Sequence, residues 1–494
     1  MTNSPISHPA DDPHDTDAQI AKAGYTRQFD RTIGKFGSFA VSFSQISITT
    51  GLFSTFGVVL ASSGPAGLWT WPIATVGTIL VALVYGMLAS RVPLSGFSYQ
   101  WASRLVTPKL GWWFGWIGFA FLTITTVSVD YGLSQVALFP LLGWEYTPLS
   151  GAVCTAVVML VQMGLIIWST PILTRINNIA VGAEMVGMIG LIVLIVGAVM
   201  VTGNGSWSNL TSTGVIPSGG YFVWLGPFML SMLLGAYTLV GWESAANLTE
   251  ETHNAKQVVP RSMVRALVIS GVVGMFFLMA IAVGIGPDVA SITASSSPVA
   301  DIITRTVGPV VARVMLVIVC VAIFACGLVI MTSNSRLIHA MARDQRIPFS
   351  NTFAKVPRAT GGPVWAAVLV AGASIVIVLS FSGNQDALAA VLGAGTLVPA
   401  IAYAATVVLY IATRRGYKPK ADDFKLGKWE WPVIVGACVW LVVELAIFIV
   451  PAEFRVAQLY ALGTVVLGGI VYFFVWLRRR EHLGKMPSME ADDL

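Results

Sequence analysis

Twelve apolar segments, each about as long as a membrane is thick, constrain this chain more than any other feature of its sequence. A helix needs about 20 residues to cross about 30 Å of hydrocarbon, and it satisfies its own backbone polar groups there. Charged residues make up only 11% of the chain, against about 25% in soluble domains. We therefore predict an all-α polytopic membrane protein. The predicted spans are residues 36–61, 68–91, 111–138, 149–168, 176–201, 221–248, 264–285, 310–340, 364–381, 387–412, 431–449 and 457–477.

Basic residues are distributed unevenly between the two sides of this predicted bundle. All but three of the 29 lysines and arginines, namely Arg305, Arg313 and Arg455, lie in the tails or in alternate loops. Because loops rich in lysine and arginine stay in the cytoplasm, both termini are predicted to be cytoplasmic, in a plasma membrane. The same asymmetry accounts for the net charge of +5 without a nucleic-acid partner.

The segment 234–261 breaks the apolar pattern of the sixth span. Small residues cluster in it around Gly241, and a carboxylate, Glu243, stands among them. Irregular backbone in a membrane is tolerated where it is buried or lines a cavity, and intramembrane carboxylates are usually functional. We interpret residues 237–243 as half of a binding site. The segment then turns polar and is expected to end at Pro260.

The first span has a comparable interruption at Ile48, Thr49, Thr50 and Gly51. Glycine permits unwinding and threonine hydroxyls can bond to the helix backbone, although small residues also serve helix packing. Interrupted helices at corresponding places of two halves indicate a transporter site. The predicted organisation follows from this and comprises a tail (1–36), two inverted five-helix repeats (37–203 and 221–412), a loop (413–430), two more helices (431–478) and a second tail (479–494).

Several motifs together resemble the amino acid–polyamine–organocation permeases. They are residues 48–53 (ITTGLF), 91–99 (RVPLSGFSY), 237–260 and 333–348, spread from span one to the end of span eight. The pattern at 250–254 (EETHN) most resembles the amino acid/choline branch, which includes permeases for γ-aminobutyrate, choline, ethanolamine and polyamines. The resemblance implies a leucine-transporter-like fold with broken helices one and six.

The resemblance also implies roles for individual residues. Thr49, Thr50 and Gly51 would form the unwound part of span one, whose amides hold a substrate carboxylate. Tyr237 would be an aromatic gate, and Gly241 would mark the unwound part of span six. Glu243 matches a carboxylate linked in relatives to protonation and gating. The plain alternative for Tyr237 is a packed aromatic, and for Glu243 it is a structural hydrogen-bond anchor. The predicted substrate-binding residues are Ile48, Thr49, Thr50, Gly51, Asp130, Tyr237, Thr238 and Gly241.

Four acids fall inside predicted spans, without a basic partner there: Asp130, Glu184, Glu243 and Glu444. Glu184 stands where proton-coupled relatives carry a lysine in place of a sodium ion. It could hold a proton, coordinate sodium, neutralise a cationic substrate or simply bond to span one. We predict ion coupling at Glu184 and Glu243, an ammonium partner or a polar mouth residue in Asp130, and a structural role for Glu444.

The predicted function is secondary active import of a small amino acid or amine, coupled to protons in preference to sodium, by alternating access. Candidate substrates are γ-aminobutyrate, a polyamine, choline or ethanolamine, and a basic amino acid. Sodium coupling, exchange and nutrient sensing are alternatives, and a channel fits less well because pore-loop and charged-ring patterns are absent. No nucleotide-binding loop, metal site or cofactor site is predicted, and the chain is not expected to be an enzyme. The expected partners are the substrate and the lipid bilayer.

Overall fold

The computed structural model describes residues 31–168, 170–295, 297–357, 362–383, 386–416 and 423–484. Within them the backbone is helical, apart from loops and one β-bridge between Ile33 and Thr252. The principal helices are α1 Lys35–Ile46, α2 Ile48–Ser63, α3 Thr70–Arg91, α4 Phe97–Leu105, α5 Pro108–Gly132, α6 Pro148–Trp168, α7 Thr170–Thr202, α8 Leu233–Thr238, α9 Ser244–Asn247, α10 Ala255–Gly284, α11 Pro298–Val307, α12 Pro309–Arg343, α13 Val364–Ser380, α14 Ala387–Thr413, α15 Glu430–Ile449 and α16 Arg455–Gly484.

The chain is an all-α polytopic membrane protein, as predicted. Ten helical segments of its described part are long and apolar enough to cross a membrane. Two shorter apolar helices, Pro227–Thr238 and Val364–Ser380, lie at the places of predicted spans six and nine. The count of twelve spans and the inverted repeats remain predictions.

The helices pack around α5, α10 and α12. α10 contacts α3 and α1, α12 contacts α5 and α7, and α14 contacts α5, with α15 and α16 packed against α14 from outside. Close approach depends on small residues: a methyl group on Gly271 would lie 2.3 Å from a side-chain carbon of Thr75. We call the end at which α1 begins and α12 ends the basic end of the bundle.

The first span is broken one turn earlier than the sequence indicated. Ser47 has φ 34° and ψ 94°, between α1 and α2, whereas Thr49, Thr50 and Gly51 lie in the first turns of α2. The prediction that these three residues are unwound is therefore wrong. The N–H of Gly51 donates to the carbonyl of Ser47 at 3.0 Å, so the helix is already established there.

The sixth span begins later than predicted. Residues 221–226 form turns, and the first helical residue is Pro227. Gly220 and Leu225 both have positive φ, and proline disfavours a helical conformation in the residue before it. These constraints outweigh the apolar character of residues 221–226 and keep them out of the helix.

The polar stretch after span six also differs from its prediction. Pro260 lies inside α10, which begins at Ala255, so the proline does not end the segment. The proline removes one hydrogen bond of α10, that to the carbonyl of Lys256 four residues before it, but the helix continues through it to Gly284.

At the other end of the chain, α16 extends to Gly484 with a kink at Arg479.

Candidate functional site

Ser47 organises the break between α1 and α2. Its hydroxyl oxygen accepts from the N–H of Thr50 at 3.3 Å and from the hydroxyl of Thr50 at 2.6 Å. The same hydroxyl donates to Oε1 of Glu184 at 2.9 Å. A serine at this position caps the new helix, which explains why the chain can restart immediately after a strained residue.

Glu184, on α7, binds the amino-terminal end of α2. Besides Ser47, its Oε1 accepts from the N–H of Thr49 at 3.1 Å and from the hydroxyl of Thr49 at 2.7 Å. The N-terminus of a helix favours negative charge, because its first N–H groups lack partners within the helix. The chain thus supplies its own carboxylate to the donors that the resemblance assigned to a substrate carboxylate.

The break in the sixth span covers residues 239–243, between α8 and α9. Gly241 has φ +92°, and a methyl group there would lie 2.4 Å from Cγ of Gln45. The N–H of Gly241 donates to the hydroxyl of Tyr403 at 3.1 Å. The unwinding predicted at Gly241 is therefore present in the structure, and only glycine fits both its conformation and its space.

Tyr403 on α14 connects this break to Glu243. Its hydroxyl donates to Oε2 of Glu243 at 2.9 Å while accepting from Gly241. The tyrosine ring stacks on Trp242 at 5.3 Å and meets the edge of Tyr85 at 5.6 Å, which fixes the direction of its hydroxyl. Oε1 of Glu243 is buried and has no hydrogen-bond partner among the described residues.

The two breaks lie at the same level of the bundle and are bonded to each other's helices. Ser42 of α1 donates to the carbonyl of Trp242 at 2.7 Å, and Ser244 of α9 donates to the carbonyl of Val41 at 3.0 Å. On the other side of the breaks, α2 packs against α8. A methyl group on Gly51 would lie 2.1 Å from Oγ1 of Thr238, so Gly51 provides close approach and not unwinding.

Asp130 on α5 is fully buried beside the same region. Its Oδ1 accepts from Nε2 of Gln162 at 2.9 Å, while its Oδ2 has no partner among the described residues. Immediately after it, α5 continues through a π-helical turn, Leu133–Leu138, a feature frequent at functional sites. Tyr237 on α8 donates to Oγ of Ser128 at 2.9 Å, and Ser128 is two residues before Asp130.

The basic end of the bundle is closed by ion pairs that follow the sixth span. Glu251 binds Nε of Arg336 at 2.8 Å, and Glu250 receives two bonds of 3.0 Å from Arg343. The N–H groups of Thr32 and Ile33 both donate to the carbonyl of Glu251. Because the pairs join the segment after α9 to α12, we call them the basic-end latch.

The predicted site residues fall into three connected groups. Ile48, Thr49, Thr50 and Glu184 meet at the start of α2, Gly241 and Glu243 meet at Tyr403, and Tyr237 and Asp130 lie near Ser128. No hydrogen bond joins Glu184 to Glu243, both of which are among the described residues. None of the three buried acids forms an ion pair with a described lysine or arginine. The roles of these residues in substrate binding and ion coupling remain predictions.

Sequence reasoning missed four polar residues of this region. Gln45 and Ser47 belong to a polar run in span one, and Gln162 is an isolated amide in an apolar helix, so their sequence carried a signal. Tyr403 carried none, because a tyrosine in a span resembles any packed aromatic. Cys326 also lies here, donating to the carbonyl of Gln45 at 3.4 Å.

Gly241→Ala is expected to reduce stability by about 2 kcal/mol, since a non-glycine residue at such a φ is strained by about 1–3 kcal/mol. The new methyl group must in addition displace Gln45. Thermal unfolding in detergent would measure the loss. Gly372→Ala is the matched control, because open space surrounds that residue. Equal effects of the two substitutions would contradict the assignment.

The comparisons with known proteins cover nearly the whole chain. A family model described as "Amino acid permease" matches residues 33–472. The amino-acid permease BAT1 of Arabidopsis thaliana is 29% identical, over 94% of this chain and 94% of its own length. Its homolog in Oryza sativa subsp. japonica is 27% identical over 96% of each chain. The amino-acid permease 2 of Neurospora crassa is 25% identical over 93% of this chain and 85% of its own.

Proposed function

The chain belongs to the amino acid permease family and is an amino acid transporter, and from this premise we propose that it imports a small amino acid or amine together with protons. The driving ion, the substrate class and the transport cycle are all part of the proposal. It also includes a plasma-membrane location with both termini in the cytoplasm, so that the basic end faces the cytoplasm.

The arrangement of charge around the two breaks carries this proposal. Asp130, Glu184 and Glu243 are all buried there, and none has a basic partner in the described part of the chain. Buried charge is costly unless it is paired or neutralised. A cationic amine supplies the missing positive charge, and a proton removes the negative one, so both would bind near these acids.

The position of Glu184 narrows the class of substrate that we expect. In this chain the donors at the start of α2 already bind a carboxylate, that of Glu184. A substrate carboxylate must displace Glu184 to reach them, whereas an amine without a carboxylate need not. This favours amines and amino acids with a distant carboxylate, such as polyamines or γ-aminobutyrate, over α-amino acids.

Glu243 is the proposed proton carrier. One of its oxygens accepts from Tyr403 while the other has no partner, so that protonation at Oε1 leaves the existing bond intact. Tyr403 also accepts from Gly241. Through this one hydroxyl, Glu243 is connected to the backbone of the break.

Alternating access would use the two broken helices as moving parts. The bonds Ser42–Trp242 and Ser244–Val41 tie α1 to the segment after Gly241, so these pieces would move together. The basic-end latch is closed in this structure. The transporter would release substrate into the cytoplasm when the latch parts.

The test is uptake into proteoliposomes with radiolabelled γ-aminobutyrate, putrescine, choline and arginine. Each substrate is offered with an inward proton gradient, with an inward sodium gradient and with no gradient. Accumulation of at least one of them with the proton gradient alone supports the proposal. Accumulation that requires sodium, or saturable binding without uptake, would instead favour a sodium symporter or a transporter-like sensor.

Glu243→Gln is expected to abolish most proton-driven accumulation while substrate binding changes less than about threefold. The amide retains an oxygen that can accept from Tyr403 but can no longer gain and lose a proton in the cycle. Uptake under a pH gradient and equilibrium binding measure the two effects separately. Glu444→Gln is the matched control, because Glu444 is also buried but lies on α15, outside the site. Unchanged proton-driven accumulation in Glu243→Gln would disprove the coupling role.

A further inference from the structure

A basic groove of about 350 Å³ opens at the basic end, between α1 and α10. Three cationic side chains line it, Lys35 from α1 and Arg261 and Arg265 from α10, and all three residues are exposed. Gln257 and Ser262 add hydrogen-bonding groups. No acidic side chain lines the groove in the described part of the chain. It is therefore suited to a ligand that brings negative charge.

The two arginines continue a strip of α10 that faces away from the protein. Arg261 and Arg265 are followed at helical spacing by Val268, Val272 and Phe276, which are 43%, 54% and 58% exposed. Residues three and four apart share one face of a helix. In a membrane protein, an exposed apolar strip of this kind is covered by lipid chains.

The length of the apolar part of α10 indicates where the groove lies relative to the hydrocarbon layer of the membrane. Residues 266–284 carry no charge and measure about 28 Å at about 1.5 Å per residue. This is close to the thickness of the hydrocarbon layer, about 30 Å. Arg265 therefore lies at the edge of the hydrocarbon, at the level of lipid headgroups, and Arg261 lies one turn further out.

We propose that this groove binds one anionic phospholipid, with its phosphate on Arg261, Arg265 and Lys35 and an acyl chain along Val268, Val272 and Phe276. Arginine binds phosphate with paired hydrogen bonds, and lysine supplies a point charge. Basic pockets between membrane helices at the headgroup level bind anionic lipids on these terms. Free phosphate shares the headgroup chemistry but cannot use the apolar strip.

The site joins two parts of the bundle. Lys35 is the first residue of α1, the helix that ends at the Ser47 break, and the arginines belong to α10. A lipid bound to both would stabilise the present packing of α1 against α10. This part of the inference does not depend on which substrate the protein carries.

The experiment is thermal unfolding of the delipidated full-length protein in detergent, titrated with phosphatidylglycerol, phosphatidylcholine or inorganic phosphate. A ligand that binds the folded state raises its apparent unfolding temperature. Phosphatidylglycerol is expected to raise that temperature, and the other two are expected to leave it nearly unchanged. An equal rise with phosphatidylcholine or with phosphate would overturn the proposal.

Two triple variants locate the effect. Lys35→Gln/Arg261→Gln/Arg265→Gln is expected to weaken the apparent affinity for phosphatidylglycerol at least about tenfold. Lys109→Gln/Arg175→Gln/Lys428→Gln removes the same charge at scattered exposed positions and is expected to respond like the wild type. Equal responses of the two variants would overturn the site.

A measurement on the wild-type protein keeps the proposal falsifiable if the first variant does not fold. A phosphatidylglycerol with a photoreactive acyl chain is bound to the protein, illuminated and mapped by peptide mass spectrometry. Labelling is expected on residues 268–276 of α10, and to be lost when unlabelled phosphatidylglycerol competes. Saturable labelling confined to other helices would overturn the assignment.

Discussion

Glu251→Gln is expected to lower the free energy of unfolding by about 3–5 kcal/mol, the usual effect of removing one partner of a buried ion pair. The side chains of Glu251 and Arg336 are only 4% and 1% exposed, with 2.8 Å between Oε1 and Nε. Glutamine retains the shape and one acceptor oxygen, but it removes the negative charge of Glu251 from its place against the guanidinium, in a region that water hardly reaches. Unfolding in detergent, followed by intrinsic fluorescence, measures the loss.

The pair Arg414–Glu430 is the matched control for this prediction. Its side chains are 19% and 29% exposed at a separation of 3.1 Å, and solvent-exposed pairs contribute only about 0–1 kcal/mol. Glu430→Gln should therefore have a small effect. Similar losses in Glu251→Gln and Glu430→Gln would show that burial does not set the strength of the latch.

Weakening the basic-end latch is also expected to change how readily water-soluble reagents reach Cys326. Cys326 is fully buried beside Gln45, and we expect that parting of the basic-end latch lets water reach it. With Cys154, Cys320 and Cys438 replaced by serine, Glu251→Gln should increase labelling of Cys326 by a water-soluble maleimide about tenfold or more, if the latch contributes at least 1.4 kcal/mol to closure. Unchanged labelling would mean that closure has another origin.

The sequence determined the helical frame of this protein better than it determined the site. Length and apolarity suffice to identify membrane helices, because the bilayer accepts little else. The same rule overextended span six to residue 221, since Gly220, Leu225 and Pro227 impose a backbone that apolarity does not reveal. Pro260 was wrongly predicted to end its segment. A proline inside a helix removes one hydrogen bond, but α10 continues through Pro260 to Gly284.

The two breaks show which parts of a site a sequence can reveal. Gly241 was identifiable, because glycine in the middle of an apolar helix indicates special backbone, and its φ of +92° confirms the unwinding. Gly51 carried the same signal for another reason, contact with Thr238, so the break in span one was assigned to the wrong residues. Tyr403 could not be found at all, since its role depends on a contact with Glu243, 160 positions away in the chain.

Glu184→Ala is expected to reduce uptake at least tenfold and to lower the free energy of unfolding by about 3 kcal/mol. The substitution removes the acceptor of three buried donors at the start of α2, namely the hydroxyl of Ser47 and the N–H and hydroxyl of Thr49. A buried donor left without a partner costs about 1–3 kcal/mol. Transport assays and unfolding measure both effects.

Acetate distinguishes a missing carboxylate from general damage. The vacated space in Glu184→Ala still faces the N-terminus of α2, which favours an anion, so millimolar acetate should restore part of the stability and uptake. Glu184→Gln keeps an acceptor oxygen and should unfold nearly as the wild type does. If glutamine also preserves proton-driven uptake, Glu184 acts through hydrogen bonding, and the coupling proton belongs to Glu243. If glutamine abolishes it while binding persists, Glu184 itself titrates. A Glu184→Ala protein of normal stability that ignores acetate would show that this carboxylate does not hold the break together.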